Sequence, residues 1–283
     1  MKFVTFQVGK TVSYGAVSGD GIIDLGKRLG KKYPTLRSAL KAGKLNELKT
    51  VAKSARKTDV ALKKIKFLPV IPDAKKIICV GLNYKDHQAE TNNKPSEHPT
   101  LFLRMQGSQI GHDQPLIKPK ESAKLDWEGE LAVIIGKPGR RISPQNAMSH
   151  VAGYSCYHDG SVRDFQRHTT QFTPGKNFAA TGGFGPWMVS ADEIKDITKE
   201  TLTTRVNGVV KQHAGIDLLI FDIPTLIAYI STFIPLEGGD VIVTGTPGGV
   251  GAARNPPEFL QPGDVTEIDI TGVGILRNTV KEG

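Results

Sequence analysis

Asp126-Trp127-Glu128-Gly129-Glu130-Leu131-Ala132-Val133-Ile134-Ile135-Gly136 is the stretch whose reading decides the fold. Leu131 to Ile135 is apolar and partly β-branched, and Gly136 closes it, so it reads as a buried strand. Side chains alternate faces along a strand, which puts Glu128 and Glu130 on one side. Asp126 joins them if the strand begins that early. Gly129, between the glutamates, adds no bulk to the opposite face. Like-charged carboxylates about 4 Å apart repel by roughly 4 kcal/mol at an effective dielectric near 20. They separate into water, bind a proton, or hold a cation between them. An all-oxygen ligand set selects a hard ion: Mg2+, Mn2+ or Ca2+. The plainer reading is a solvated strand end with ordinary surface acids.

Outward from this strand, composition narrows the class. The chain has 283 residues, 39% hydrophobic and 23% charged, which fits a soluble globular protein with one large domain, or one large and one small. No apolar run approaches the ~20 residues of a membrane helix. The opening Met1-Lys2-Phe3-Val4-Thr5-Phe6 turns polar too soon for a secretion signal. Cys79 and Cys156 lie far apart and match no metal-ligand spacing, so a reducing cytoplasm is expected and a disulfide is not. The net charge of +9 is uneven: residues 1–76 hold 18 Lys+Arg against 5 Asp+Glu, and the rest 19 against 23. A nucleic-acid surface is one reading of that basic quarter. Scattered lysines with few aromatics between them favour a solvated face instead.

Short strands are expected before Leu25, with a tight turn at Ser18-Gly19-Asp20-Gly21. Helical spacing follows over Leu36 to Leu40 and over Leu45 to Ala61. Two prolines make Phe67 to Pro72 extended, a linker that ends a small N-terminal domain, 1–70, before the larger remainder of the chain. Lys76 to Gly81 is a short strand that runs into Leu82-Asn83-Tyr84-Lys85-Asp86-His87-Gln88-Ala89-Glu90. His87 and Glu90 are three apart, so one helical turn brings them together as an imidazole oriented by a carboxylate. An exposed pair on a polar helix is the plainer alternative. Thr91 to Pro99 is a loop and a candidate lid. Val151 to Asp159 is a strand ending in an acid. Lys176 stands in a turn, and Ala179 to Pro186, rich in glycine, is expected to be a loop. Asn207-Gly208 closes a hairpin. Asp240 to Val243 runs into a glycine-rich loop, Thr244 to Gly251, whose backbone N–H groups could face an anion. Many strands and few helices predict an α+β, mostly β fold.

Taken together, these segments resemble the fumarylacetoacetate hydrolase superfamily. The resemblance rests on Leu82-Asn83-Tyr84 with His87 and Glu90, on the carboxylate strand, and on Gly153 to Gln166. It rests also on Gly175-Lys176-Asn177-Phe178, Thr244 to Gly251 and Leu260 to Asp264. It covers about residues 74–283, in order. It implies a β-sandwich roll, a homodimer, and Mg2+ or Mn2+ held by Glu128, Glu130 and Asp159. Lys176 would stabilise charge on a substrate oxygen, Thr246 would touch the substrate carboxylate, and Gln166 and Arg104 would hold bound oxygens. His87 and Glu90 would activate water. Asparagine usually precedes the third ligand in this family; here His158 does, and a packing or hydrogen-bonding role is expected for it.

The reaction expected is hydrolysis of a C–C bond in a 2,4-dioxo acid of acylpyruvate or fumarylpyruvate type, releasing pyruvate. Decarboxylation, isomerisation or hydration of a 2-oxo acid such as oxaloacetate would use the same enolate. Two other classes stay open: a binding protein gripping an acidic partner through its lysine-rich start, and a carboxylate-metal phosphoesterase.

Overall fold

The computed structural model describes residues 1–91 and 96–283. Most of the chain's strands form one large mixed sheet. Its central run, in order, is Lys2–Val8, Gly182–Ser190, Val151–Asp159, Gly129–Ile135, Val241–Val243, Ile77–Gly81 and Thr100–Leu103. A second, five-stranded sheet is ordered Val209–Gly215, Thr201–Val206, Val265–Ile270, Gly274–Glu282 and Leu116–Lys118. The layers follow from alternation along the carboxylate strand. Leu131, Val133 and Ile135 pack with Leu202, Ile268 and Leu276 of the second sheet. Ala132 and Ile134 face the other way, into a core with Leu36, Ala39, Leu40 and Leu48 of the N-terminal helices. This is the mostly β sandwich roll expected. Among the described residues no helix is long and apolar enough to cross a membrane, and both cysteines are free and buried.

The N-terminal residues belong to the large sheet. Phe3 pairs with Met188, and Phe3 and Tyr14 share a core with Ile77, Ala132 and Val241. Division at residue 70 is therefore a proposal about modules of sequence; strands and core run across it. Two element boundaries differ from expectation. The helix expected to reach Ala61 spans Leu45–Ser54. Beyond it, Asp59 accepts the Asp24 amide at 2.9 Å and pairs with Arg28, pulling the chain into a short strand. The glycine-rich segment expected to be a loop becomes strand from Gly182. Its glycines serve close approach: a Cβ at Gly182 would meet Arg104 Nη2 at 2.9 Å, and one at Gly183 would meet Asn278 Oδ1 at 2.8 Å. The hairpin turn follows expectation, with Asn207 at φ 52° and Gly208 at φ 78°. Of the expected lid, Asn92 to Pro95 lie outside the described residues.

Candidate active site

Strand register builds the acidic cluster. Gly129 pairs with His158 and Glu130 with Tyr157, and the Asp159 amide donates to the Glu128 carbonyl at 2.8 Å. Glu128 and Asp159 thus sit directly opposite each other, within side-chain reach across the ladder. One carboxylate oxygen from each of Glu128, Glu130 and Asp159 lies within 4.8 Å of the others, and all three residues are buried. Gly129 makes this possible, because a Cβ there would lie 2.1 Å from Thr204 Oγ1 of the second sheet.

The cluster is only partly neutralised. Lys176 Nζ donates to Glu128 Oε2 and Asp159 Oδ2, at 2.6 Å each. Arg163 Nη1 reaches Glu128 Oε1 at 2.7 Å. Burial alone would raise the Glu128 pKa, but Lys176 and Arg163 outweigh it and hold the group well below the usual carboxylate range. Among the described residues Glu130 forms no ion pair. It accepts the Gly245 amide at 2.6 Å. Burial, then Asp159 and Glu128, push its carboxyl well above the ordinary value. Three buried acids with an all-oxygen donor set and one acid short of countercharge fit a hard divalent cation.

His87 comes from the short helix Lys85–Glu90, entered through Leu82 at φ 59°. Asn83 anchors that entry: Nδ2 donates to the Thr244 carbonyl at 2.8 Å, and Oδ1 accepts the Phe221 amide at 2.8 Å. His87 Nδ1 meets Glu90 Oε1 at 2.7 Å, and Glu90 Oε2 accepts the Gly249 amide at 2.8 Å. A cavity of about 330 Å³ joins His87, Glu128, Glu130, Gln166, Lys176 and Thr246, with Arg163, Arg167, Phe102 and Phe172 also on its walls.

Several expectations change here. Asp126 does not join the acidic cluster. Its carboxylate accepts from Arg163 Nε at 2.7 Å and from the Gly251 and Ala252 amides at 2.7 and 2.9 Å. The glycine-rich loop therefore turns amides toward Glu130, Glu90 and Asp126, the chain's own anions. Arg104, expected against substrate, lies behind Asp159. It pairs with that carboxylate, donates to the Gly160 carbonyl at 3.1 Å and to Thr181 Oγ1 at 2.8 Å, and lines no part of the cavity. Thr246 Oγ1 donates to the Gly129 carbonyl at 2.9 Å while lining the cavity. His158 is fully buried, and neither ring nitrogen has a hydrogen-bond partner among the described residues, so packing describes it better than hydrogen bonding. Burial, then Arg104, push its pKa down to about 3, keeping it neutral. Arg163 was not foreseen. Its spacing of three from Gln166 on one helical turn was the available signal, and Nη1 does reach Gln166 Oε1 at 2.9 Å.

Fold and site together describe a mostly β roll whose buried carboxylate cluster, suited to a divalent cation, opens on a cavity. The fumarylacetoacetate (FAA) hydrolase C-terminal family matches residues 76–281, and the chain belongs to that superfamily of enzymes. Among its relatives is the mitochondrial oxaloacetate tautomerase of Xenopus laevis, 37% identical over 99% of this chain and 90% of that protein. A fumarylacetoacetate hydrolase from psychrophilic Exiguobacterium antarcticum superposes with a TM-score of 0.82 at 34% identity, covering both chains fully. Maleylpyruvate hydrolase from Sphingobium sp. SYK-6, in complex with manganese(II) and pyruvate, superposes at 0.83 with 26% identity, again over both full chains.

Proposed function

We propose that this enzyme exchanges the keto and enol forms of a 2-oxo dicarboxylic acid of oxaloacetate type. Hydrolysis, expected first from the sequence, becomes the second reading. The relative named oxaloacetate tautomerase is similar over nearly the whole chain, and that reaction needs one base and one electrophilic site. The observation that carries the proposal is the cavity that His87 shares with the acidic cluster and Lys176.

Glu90 on Nδ1 orients the ring, leaving Nε2 as the nitrogen free to exchange a proton with substrate. His87 Nε2 takes a proton from the carbon beside the ketone. The bond's electron pair moves to the carbonyl oxygen, where the Lys176 ammonium meets the developing charge. The proton held on His87 is then delivered to that oxygen, which gives the enol and restores the neutral imidazole; the reverse steps return the ketone, and no water is consumed. A divalent cation held by Glu128, Glu130 and Asp159, magnesium or manganese before calcium, would supply the positive charge that acidifies the carbon. Thr246 and Gln166 would position the substrate's carboxylate.

Hydrolysis has two supporting observations: an imidazole oriented by a carboxylate also takes a proton from water, and a manganese- and pyruvate-bound hydrolase shares the fold. Both reactions can be followed by ultraviolet absorbance of the enol, with pyruvate measured separately. The proposal expects metal-dependent interconversion of oxaloacetate tautomers without pyruvate. Pyruvate release from an acylpyruvate, with uncatalysed oxaloacetate enolisation, reverses the ranking.

A further inference from the structure

We propose that Arg167 is a specificity residue that binds the second, distal carboxylate of the substrate, so that a short dicarboxylic oxo acid is preferred over a monocarboxylic one. This rests on the 2-oxo acid reading above. Arg163 and Gln166 lie on the helical turn Arg163–Gln166, and Arg167 is its C-cap. Spacings of three and four put all three on one face, and all three line the cavity.

Among the described residues three cations, Arg163, Arg167 and Lys176, line that cavity, and two are already matched. Arg163 is held by Asp126 and Glu128 at 2.7 Å each. Lys176 is held by Glu128 and Asp159 at 2.6 Å. Arg104, outside the cavity, pairs with Asp159. Among the described residues Arg167 meets no carboxylate, and it is exposed. It is the surplus positive charge among the described residues of the wall. Four residues of helix advance about 6 Å, the span of a short carbon chain, between Arg163, which pairs with Glu128, and Arg167. Phe102 and Phe172 line the space as apolar walls suited to a methylene. A substrate whose first carboxylate sits at the acidic end would bring its second to this guanidinium, a charge-assisted and bidentate-capable partner. The ordinary alternative is a solvated surface arginine.

Equilibrium titration of the magnesium-loaded full chain separates the two, using oxaloacetate and its 4-monomethyl ester. Oxaloacetate is expected to bind about tenfold more tightly than the ester. Arg167→Gln should bring the ratio near one, and Arg167→Lys should keep most of it. An unchanged ratio in Arg167→Gln, or no preference in the wild type, overturns the proposal. An intact, Arg167-dependent binding ratio without catalysed enolisation would support the anchor and sink the tautomerase reading instead.

Discussion

At the residue scale the account turns on groups with divided duties. Glu90 offers one oxygen to His87 and the other to the Gly249 amide, so the imidazole is tied to the same loop that carries Thr246. His87→Ala should lower kcat by about 10²–10⁴-fold while leaving metal affinity, read by calorimetry, unchanged. Full activity in that variant would remove His87 from the reaction. A second histidine, outside the cavity, gives a pH prediction. His112 Nδ1 accepts the Arg277 amide at 3.0 Å and its ring packs edge-on against Phe67. Burial lowers its pKa despite Asp113. A group depressed in the fold contributes stability above its unfolded pKa and loses it as pH falls through the folded one. Thermal midpoints should therefore fall by a few degrees on acidification below about pH 6.5, and His112→Gln should flatten that slope. Most of the site residues could be read from strand alternation, the His87–Glu90 spacing and the family resemblance. Asp126 and Arg104 could not. Their partners return from residues 251–252 and 159–181, and no local pattern encodes such a meeting.

At the element scale, the carboxylate strand works because one residue lacks a side chain. Gly129 lets Glu128 and Glu130 face the cavity while the second sheet presses on the other side. Gly129→Ala should destabilise the protein by about 1–3 kcal/mol through overpacking against Thr204 and Ile268, read by chemical denaturation, and weaken metal binding with it. Wild-type stability in that variant would contradict the packing argument. The strand was legible at Leu131 to Ile135 because burial on both faces leaves an unbroken, partly β-branched apolar run. In the strand Gly182–Ser190 the end from Trp187 was legible, but the part from Gly182 to Pro186 was not, since glycines that mark turns elsewhere serve here to admit Arg104 and Asn278.

At the scale of the whole molecule, the accessory segment and the catalytic segment share one sheet and one core. We propose that they fold as a unit, although the sequence reads as two modules. A chain beginning at residue 74 would expose the faces that Phe3, Tyr14, Leu36 and Leu48 cover, and it should lose cooperative unfolding. A sharp transition in that fragment would restore an autonomous catalytic domain. The homodimer implied by the family resemblance is likewise a proposal. Light scattering should return twice the 30.6 kDa chain mass.

Diffraction from crystals soaked in manganese, recorded for its anomalous signal, tests the centre of this account most directly. One strong peak is predicted, bonded at about 2.0–2.3 Å to carboxylate oxygens of Glu128, Glu130 and Asp159 and facing His87 across the cavity. Manganese bound elsewhere, with Lys176 still bridging Glu128 and Asp159, would contradict it.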